Sequence, residues 1–117
     1  MRRLAQLCAP LAVMVALWLA PAAHALPTEV IDQGEQIFAS NCAACHMGGG
    51  NVIQASRTLK IGDLNEHLEA YGQTPLEAIE HQIEDGKNAM PAYGDTLTEE
   101  EIIAVATYVE QQAEQGW

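Results

Sequence analysis

The sequence has few cysteines and few long apolar runs. Only 3 of its 117 residues are cysteine, and one of them, Cys8, lies in an N-terminal segment that we expect to be removed. The other two form a single pair, so no second pair is present to complete a four-ligand zinc site. After about residue 25, no apolar run is long enough to cross a membrane. We therefore expect a mature protein that does not span a membrane.

Basic residues are also scarce. All 16 acidic residues follow residue 26, where only three basic ones occur, Arg57, Lys60 and Lys87, so this part has a net charge of −13. Nucleic-acid binding depends on cationic contacts with phosphate, and this balance argues against it. The acidity either serves solubility or steers the protein toward a basic partner surface, and the sequence favours neither interpretation.

The N-terminus has the three parts of an export signal. An Arg2-Arg3 pair is followed by an apolar run over residues 11–20 and by the small-residue cleavage motif Ala23-His24-Ala25. We predict a cleaved signal peptide over residues 1–25 and a single mature domain over residues 26–117. The alternative is an uncleaved membrane anchor, but the run is short for a span and a proline bounds it on each side.

The Cys42-Ala43-Ala44-Cys45-His46 run has the form of a covalent c-type haem attachment site. Two thiols on one helical turn can each form a thioether to a vinyl group of the same porphyrin. The histidine that follows can then act as the proximal iron ligand. A thioredoxin-like pair would need a βαβ setting, which the sequence does not indicate. We therefore expect one covalent haem, attached at Cys42 and Cys45 with His46 as an axial ligand.

The apolar periodicity predicts an all-α domain of about four helices without a strand pair. The first helix is expected over about residues 29–45, and its Gly34 should let the last helix approach closely near Val105 and Tyr108. The second is expected over about residues 64–71. The third should run from Thr74 to Gly86, and the last should begin at Thr98.

Local signals support the starts of three of these helices. Asp63 is placed as the N-cap of the second helix, with Glu66 three residues further on. The runs Thr74-Pro75-Leu76-Glu77 and Thr98-Glu99-Glu100-Glu101 each have the pattern of a capping box.

Met90 is the best candidate for the second axial ligand. It lies in a loop between the third and fourth helices, and Pro91 stiffens the backbone beside it. Met47 adjoins His46 and cannot reach the opposite face of the haem. His67 and His81 are predicted to lie on helices, where a lone histidine is more often a surface residue than a ligand. A thioether ligand favours Fe(II), and a filled sixth position favours electron transfer over a haem enzyme or a ligand sensor.

With these residues placed, the sequence resembles the cytochrome c6 family of cyanobacterial and algal thylakoid lumens. The resemblance covers nearly all of residues 26–117. Four fragments carry it: residues 34–46, 49–53, 82–93 and 115–117. The resemblance implies a class I cytochrome c fold, with about four helices around one haem and with His46 and Met90 as axial ligands. It also places the family's haem-side glutamine at Gln82.

The resemblance implies a one-electron carrier rather than an enzyme. Its donor would be the cytochrome b6f complex and its acceptor photosystem I, both in transient contact with a monomer in the thylakoid lumen. A respiratory terminal oxidase is the alternative acceptor, and the periplasm is an alternative location.

One position departs from the family pattern. Family members often carry a basic residue just before the leucine that follows the ligand methionine, where it is thought to help docking on photosystem I. Here Thr96 precedes Leu97. Arg57 and Lys60 are other sources of positive charge near the haem edge.

Overall fold

The computed structural model describes residues 27–117, so the predicted signal peptide lies outside the described part of the chain. This part contains five α-helices and no β-strand, which confirms the all-α prediction. The helices are α1 (Thr28–Asn41), α2 (Ala43–His46), α3 (Ile61–His67), α4 (Pro75–Asp85) and α5 (Glu99–Gln115), with a 3-10 turn at Met47–Gly49.

The prediction of one helix over residues 29–45 is wrong, because α1 ends at Asn41 and α2 follows as a separate turn. Cys42 has φ −113° at the junction. The Asn41 carbonyl accepts a hydrogen bond of 3.0 Å from the hydroxyl of Tyr93. The Cys45 amide donates to the Cys42 carbonyl instead, at 3.1 Å. A contact from a distant loop therefore redirects the chain where the haem attachment run begins.

The second predicted helix is displaced toward the N-terminus, and Asp63 is not its N-cap. Helix α3 begins at Ile61, with Lys60 in the N-cap position. The Asp63 carboxylate accepts hydrogen bonds from the backbone amide and the hydroxyl of Thr58. The side chain is thus used to close the preceding loop, which sequence spacing alone did not indicate.

The two predicted capping boxes have different outcomes. At α5 the box forms: the Glu101 amide donates to the Thr98 hydroxyl, and the Thr98 amide donates to the Glu101 carboxylate. At α4 it does not form, because Thr74 makes no side-chain cap. Its amide is bonded to the Ala70 carbonyl at 2.9 Å, and its ψ of 75° departs from the extended backbone of most N-caps. Pro75 still occupies the first turn as predicted.

Helix α5 lies at the centre of the core and packs most extensively on α1 and then on α4. The predicted approach at Gly34 is confirmed, since a Cβ at this position would collide with the backbone of Ala104 and lie 2.8 Å from the Cβ of Tyr108. Beside this crossing, Phe38, Tyr108 and Trp117 form an aromatic cluster with ring centroids 5.3–6.2 Å apart. Among residues 27–117, no helix combines the length and the apolar character needed to cross a membrane.

Candidate haem site

A deep cleft opens between the α2 segment on one side and the loop after α4 on the other. It consists of two adjoining cavities, which share seven lining residues and are therefore continuous. The shared residues are Cys42, His46, Asn51, Gln54, Lys87, Asn88 and Met90. The deeper cavity has an apolar wall made of Leu64, Leu68, Ile79, Ile83, Val105 and Val109.

The two thiols lie at the same edge of the cleft with different exposure. Cys42 is half-buried and Cys45 is exposed, and both line the outer cavity. Burial raises the pKa of the Cys42 thiol to about 11. Cys42, just before the α2 turn, and Cys45, within it, thus both line the cleft.

His46 is held at the end of α2 by a backbone carbonyl. Its Nδ1 lies 2.9 Å from the carbonyl oxygen of Gly50. A carbonyl only accepts hydrogen bonds, so Nδ1 carries the proton, and in the neutral ring Nε2 keeps its lone pair. This is the tautomer that an imidazole needs in order to bind a metal through Nε2.

The backbone of Met90 is fixed on both sides. Its amide donates to the Lys87 carbonyl at 2.9 Å, and its carbonyl accepts from the Lys87 amide at 3.1 Å. Gly86, with φ +64°, makes this turn possible because a Cβ there would lie 2.5 Å from the Met90 carbonyl oxygen. The loop is therefore a built support for the thioether rather than a mobile connection.

Gln82 lies next to Met90 on the same wall. Its side-chain Nε2 is 4.0 Å from the sulphur of Met90, with the amide as donor. Gln82 was predicted near the haem only through the family resemblance, since a lone glutamine on a helix carries no signal of its own.

Tyr93 supports the candidate site, a role that its position in the sequence did not single out. Its hydroxyl donates to the Asn41 carbonyl, next to Cys42, while its backbone amide bonds the Ile83 carbonyl at 2.9 Å. It therefore ties the Met90 loop to the haem attachment run. Burial raises the pKa of the Tyr93 hydroxyl, so it remains a donor at neutral pH.

The polar side of the cleft holds charges of both signs. Arg57 and Lys87 are basic residues of its lining, and Asp63 is an acidic one. The hydroxyl and then the amide of Thr58, both donating to Asp63, hold the pKa of that carboxyl below its ordinary value of 3.8. Electrostatic interactions with His67 and Lys60 lower this pKa further, but by less.

The competing ligand candidates are less well placed. Met47 is 77% exposed, and the exposed His81 pairs with Asp85 at 3.2 Å. His67 does line the deeper cavity, but from α3, outside the two segments that carry His46 and Met90. Met90 is thus the thioether that shares the cleft with His46.

This donor set fits a haem. A porphyrin needs an apolar slot, two thiols at one edge, an imidazole with a free Nε2 and a second soft ligand, and the cleft contains each of these. No group of three or more His, Cys, Asp or Glu side chains within residues 27–117 could hold a metal ion by itself.

Comparison with known proteins places the chain in a family. Residues 29–109 match the family model described as cytochrome c oxidase, cbb3-type, subunit III. Cytochrome c6 of Thermosynechococcus vestitus is 46% identical over 116 residues, which is 99% of this chain and 96% of that protein. The chain belongs to the cytochrome c6 family. Cytochrome c6 of Bumilleriopsis filiformis is 52% identical over 87 residues, covering 74% of this chain and 96% of that protein.

Solved structures of the cytochrome c6 family have the same fold. Cytochrome c6 of the diatom Phaeodactylum tricornutum superposes with a TM-score of 0.70 at 49% identity, over 74% of this chain and 98% of that one. Oxidised cytochrome c6A of Arabidopsis thaliana gives a TM-score of 0.64 at 34% identity, over 75% and 94% of the two chains. The class I cytochrome c fold is therefore confirmed, and the protein is a c-type cytochrome that carries electrons with covalently bound haem c.

Proposed function

We propose that this protein is a one-electron carrier that receives electrons from the cytochrome b6f complex and delivers them to photosystem I. The observation that supports this most is the pair of candidate axial ligands in one cleft: His46 in its metal-binding tautomer and Met90 on a backbone bonded on both sides. A haem with both axial positions filled can change its oxidation state but has no open site for a substrate.

In this proposal each residue of the cleft has one role. Cys42 and Cys45 form the two thioethers, His46 and Met90 are the axial ligands, and the Gln82 amide donates toward the Met90 sulphur. The haem, when bound, supplies the one-electron chemistry of its iron.

The protein itself supplies rigidity and an apolar environment. The Gly50 carbonyl fixes the ring of His46, and the Lys87 backbone fixes the position of Met90. Ligands that are already in place need little movement between oxidation states, which favours fast electron transfer. The thioether favours Fe(II), so we expect a high reduction potential.

The surface around the mouth of the cleft suits brief contact with a partner. Met47, Val52 and Ile53 are exposed apolar side chains in the segment that follows the attachment run, and Ile53 lines the outer cavity. Such a patch, within an otherwise acidic protein, supports a small interface that forms and dissociates quickly. We propose that the haem edge meets the partner's redox centre here, in a monomer located in the thylakoid lumen after export.

The second candidate acceptor is a respiratory terminal oxidase, with the periplasm as a further location. The description of the matching family model names a subunit of an oxidase, and this supports the terminal oxidase as an alternative acceptor. The cleft would act in the same way in both cases, and only the partner would differ.

The deciding experiment measures the acceptor directly. Photosystem I is oxidised by a flash, and its re-reduction by the reduced holoprotein is followed as the salt concentration rises. Fast second-order reduction is expected. Because screening weakens interactions between exposed charges, the sign of the salt effect shows whether the acidic surface attracts or repels the docking site. If photosystem I is not reduced at any salt concentration while a terminal oxidase is, the photosynthetic role is refuted.

A further inference from the structure

The last residue of the chain, Trp117, packs against the loop that follows the haem attachment run. Its indole Nε1 donates a hydrogen bond of 2.9 Å to the carbonyl oxygen of Leu59. Its ring centroid lies 5.3 Å from that of Phe38, which is buried and lines the cleft. Trp117 is thus fixed to the core by its ring and to the loop by its N–H group.

From Leu59 the hydrogen bonds continue to His46. The Leu59 amide donates to the Gly49 carbonyl at 2.8 Å. The next residue, Gly50, has its carbonyl oxygen 2.9 Å from Nδ1 of His46. We name these five residues, Trp117, Leu59, Gly49, Gly50 and His46, the indole relay.

The fit between Trp117 and the relay backbone is close. Gly49 has φ +73°, and a Cβ at this position would overlap the indole ring. Gly48 has a similar φ of +61°, but a Cβ there would meet nothing within 4 Å. The indole therefore rests directly on the backbone of Gly49, a contact that only glycine allows.

We propose that Trp117 is a positioning residue for the axial histidine. It holds the backbone of Gly49 and Gly50 in the place where the Gly50 carbonyl fixes the tautomer and the orientation of the His46 ring. The proposal rests on the proposed role of His46 as an axial ligand. It assigns to the C-terminal tryptophan a function in the redox site, beyond its packing in the aromatic cluster.

The relay has a consequence for the reduction potential. A hydrogen bond from Nδ1–H to a carbonyl makes the imidazole a stronger electron donor through Nε2, which favours the oxidised iron. Loosening the Gly50 carbonyl weakens this effect. The relay therefore lowers the potential relative to that of the same site with an unrestrained loop.

The test compares two variants that each lose one hydrogen bond. Trp117→Phe keeps an aromatic ring in the cluster and removes the indole N–H. The matched control Tyr71→Phe removes the hydroxyl that donates to Glu110 at 2.8 Å, from a core side chain that is 2% exposed. Three properties of each holoprotein are measured: hydrogen exchange of the Leu59 amide, the proton resonances of the His46 ring, and the reduction potential.

For Trp117→Phe we expect Leu59 exchange to accelerate about fivefold, the size expected for the loss of one hydrogen bond. We also expect the His46 ring resonances to shift and the potential to rise above that of the wild type. Tyr71→Phe should change none of the three. Equal changes in both variants, or unchanged Leu59 exchange and potential in Trp117→Phe, would overturn the proposal.

A second pair of variants tests the same contact if Trp117→Phe folds poorly. Gly49→Ala and Gly48→Ala carry similar backbone strain, because both glycines have positive φ. Only the Cβ of Gly49→Ala displaces the indole. We expect Gly49→Ala to raise the potential and Gly48→Ala to leave it unchanged, and equal potentials in the two variants contradict the relay.

The wild-type spectrum separates this proposal from the one on which it rests. In the oxidised protein, a histidine bound to iron has ring resonances with large paramagnetic shifts. If the wild-type His46 ring lacks them, the ligand assignment is refuted. If it has them and Trp117→Phe leaves them unchanged, the relay alone is refuted.

Discussion

Single residues hold the candidate haem site through hydrogen bonds that join different segments of the chain. The Tyr93 hydroxyl reaches the Asn41 carbonyl across 52 positions. The Gln82 amide lies 4.0 Å from the Met90 sulphur across 8 positions. Such contacts determine the positions of the candidate haem-binding side chains. The effect of a substitution therefore depends on which of these contacts it removes.

Substitution of Met90 by alanine tests the ligand assignment. We expect Met90→Ala to keep its covalent haem, because the thioethers are made by other residues. Its reduction potential should fall, since a soft ligand that favours Fe(II) is lost. The reduced variant should also bind carbon monoxide promptly at neutral pH, whereas the wild type should resist it.

Met47→Ala is the matched control, because Met47 is 77% exposed and adjoins His46. It should leave both the potential and the resistance to carbon monoxide as in the wild type. An unchanged potential in Met90→Ala refutes the assignment. Prompt and complete carbon monoxide binding by the wild type would point to a ligand sensor instead.

Asp63 gives the stability of the protein a dependence on acidic pH. The Thr58 hydroxyl and amide lower the pKa of Asp63 below 3.8 in the folded protein. The folded state therefore prefers the ionised carboxylate, so the stabilisation is fully present above about pH 4 and is lost as the pH falls through the folded pKa. We expect Asp63→Asn to lower the free energy of unfolding at pH 7, with a difference from wild type that shrinks below pH 3.8.

Urea unfolding of the holoprotein at several pH values measures this difference. The exposed Asp95 provides the control variant, Asp95→Asn. A loss of stability in Asp63→Asn that is constant from pH 7 down to pH 2.5 would mean that the carboxylate charge does not contribute.

At the level of helices, the sequence predicted the elements better than their ends. The periodicity gave α4 and α5 nearly complete, and the capping box at Thr98 formed as expected. The signals at Thr74 and Asp63 were equally good locally, but contacts outside their helices took the groups that capping would use. Capping patterns fail where other local hydrogen bonds, made with residues that precede the helix, use the same groups.

The residues of the candidate site that lie in short sequence motifs could be predicted. Cys42, Cys45 and His46 follow from their spacing, and Met90 follows from its place in a loop beside Pro91. The hydrogen bonds accepted by the Gly50, Lys87 and Asn41 carbonyls could not be predicted, because backbone acceptors carry no residue-specific pattern. The geometry of a site depends on such groups, and only the folded chain brings them together.

The crossing of α1 and α5 at Gly34 can be tested with one methyl group. We expect Gly34→Ala to lower the free energy of unfolding by about 2–3 kcal/mol or more, because the new Cβ would collide with the backbone of Ala104. Gly62→Ala is the matched control, since Gly62 is also helical and a Cβ there would meet nothing within 4 Å.

Thermal or urea unfolding of the two holoproteins gives the comparison. Gly62→Ala should be neutral or more stable than wild type, by up to about 1 kcal/mol, because alanine is the better helix former. Comparable stability of the two variants would show that α5 shifts to accommodate the methyl group.

At the level of the whole molecule, the haem completes the core. The predicted mature domain, about 92 residues long, would bury only about 60–65% of its unfolded surface and be marginally stable by itself. The apolar wall of the cleft faces the space that the haem would occupy. The protein without haem therefore lacks a large part of the apolar contact on which α3, α4 and α5 depend.

Removal of the attachment thiols tests this dependence. We expect the haem-free double variant Cys42→Ser, Cys45→Ser to be poorly ordered, with much weaker helical circular dichroism than the holoprotein and no cooperative thermal transition. A haem-free variant with near-native helical signal and a sharp transition would show that the polypeptide folds without its cofactor.

The pairing of α1 with α5 also affects the order in which the protein matures. When the chain emerges with its N-terminus first, residues 42–46 are exposed before α5, the helix that packs on α1, is available. The core cannot close during that interval, because the first helix packs most extensively on the last. The thiols are therefore accessible to the enzymes that attach haem while the chain is still open. We therefore expect covalent attachment to precede final folding, because the topology keeps the core open until the last helix is available.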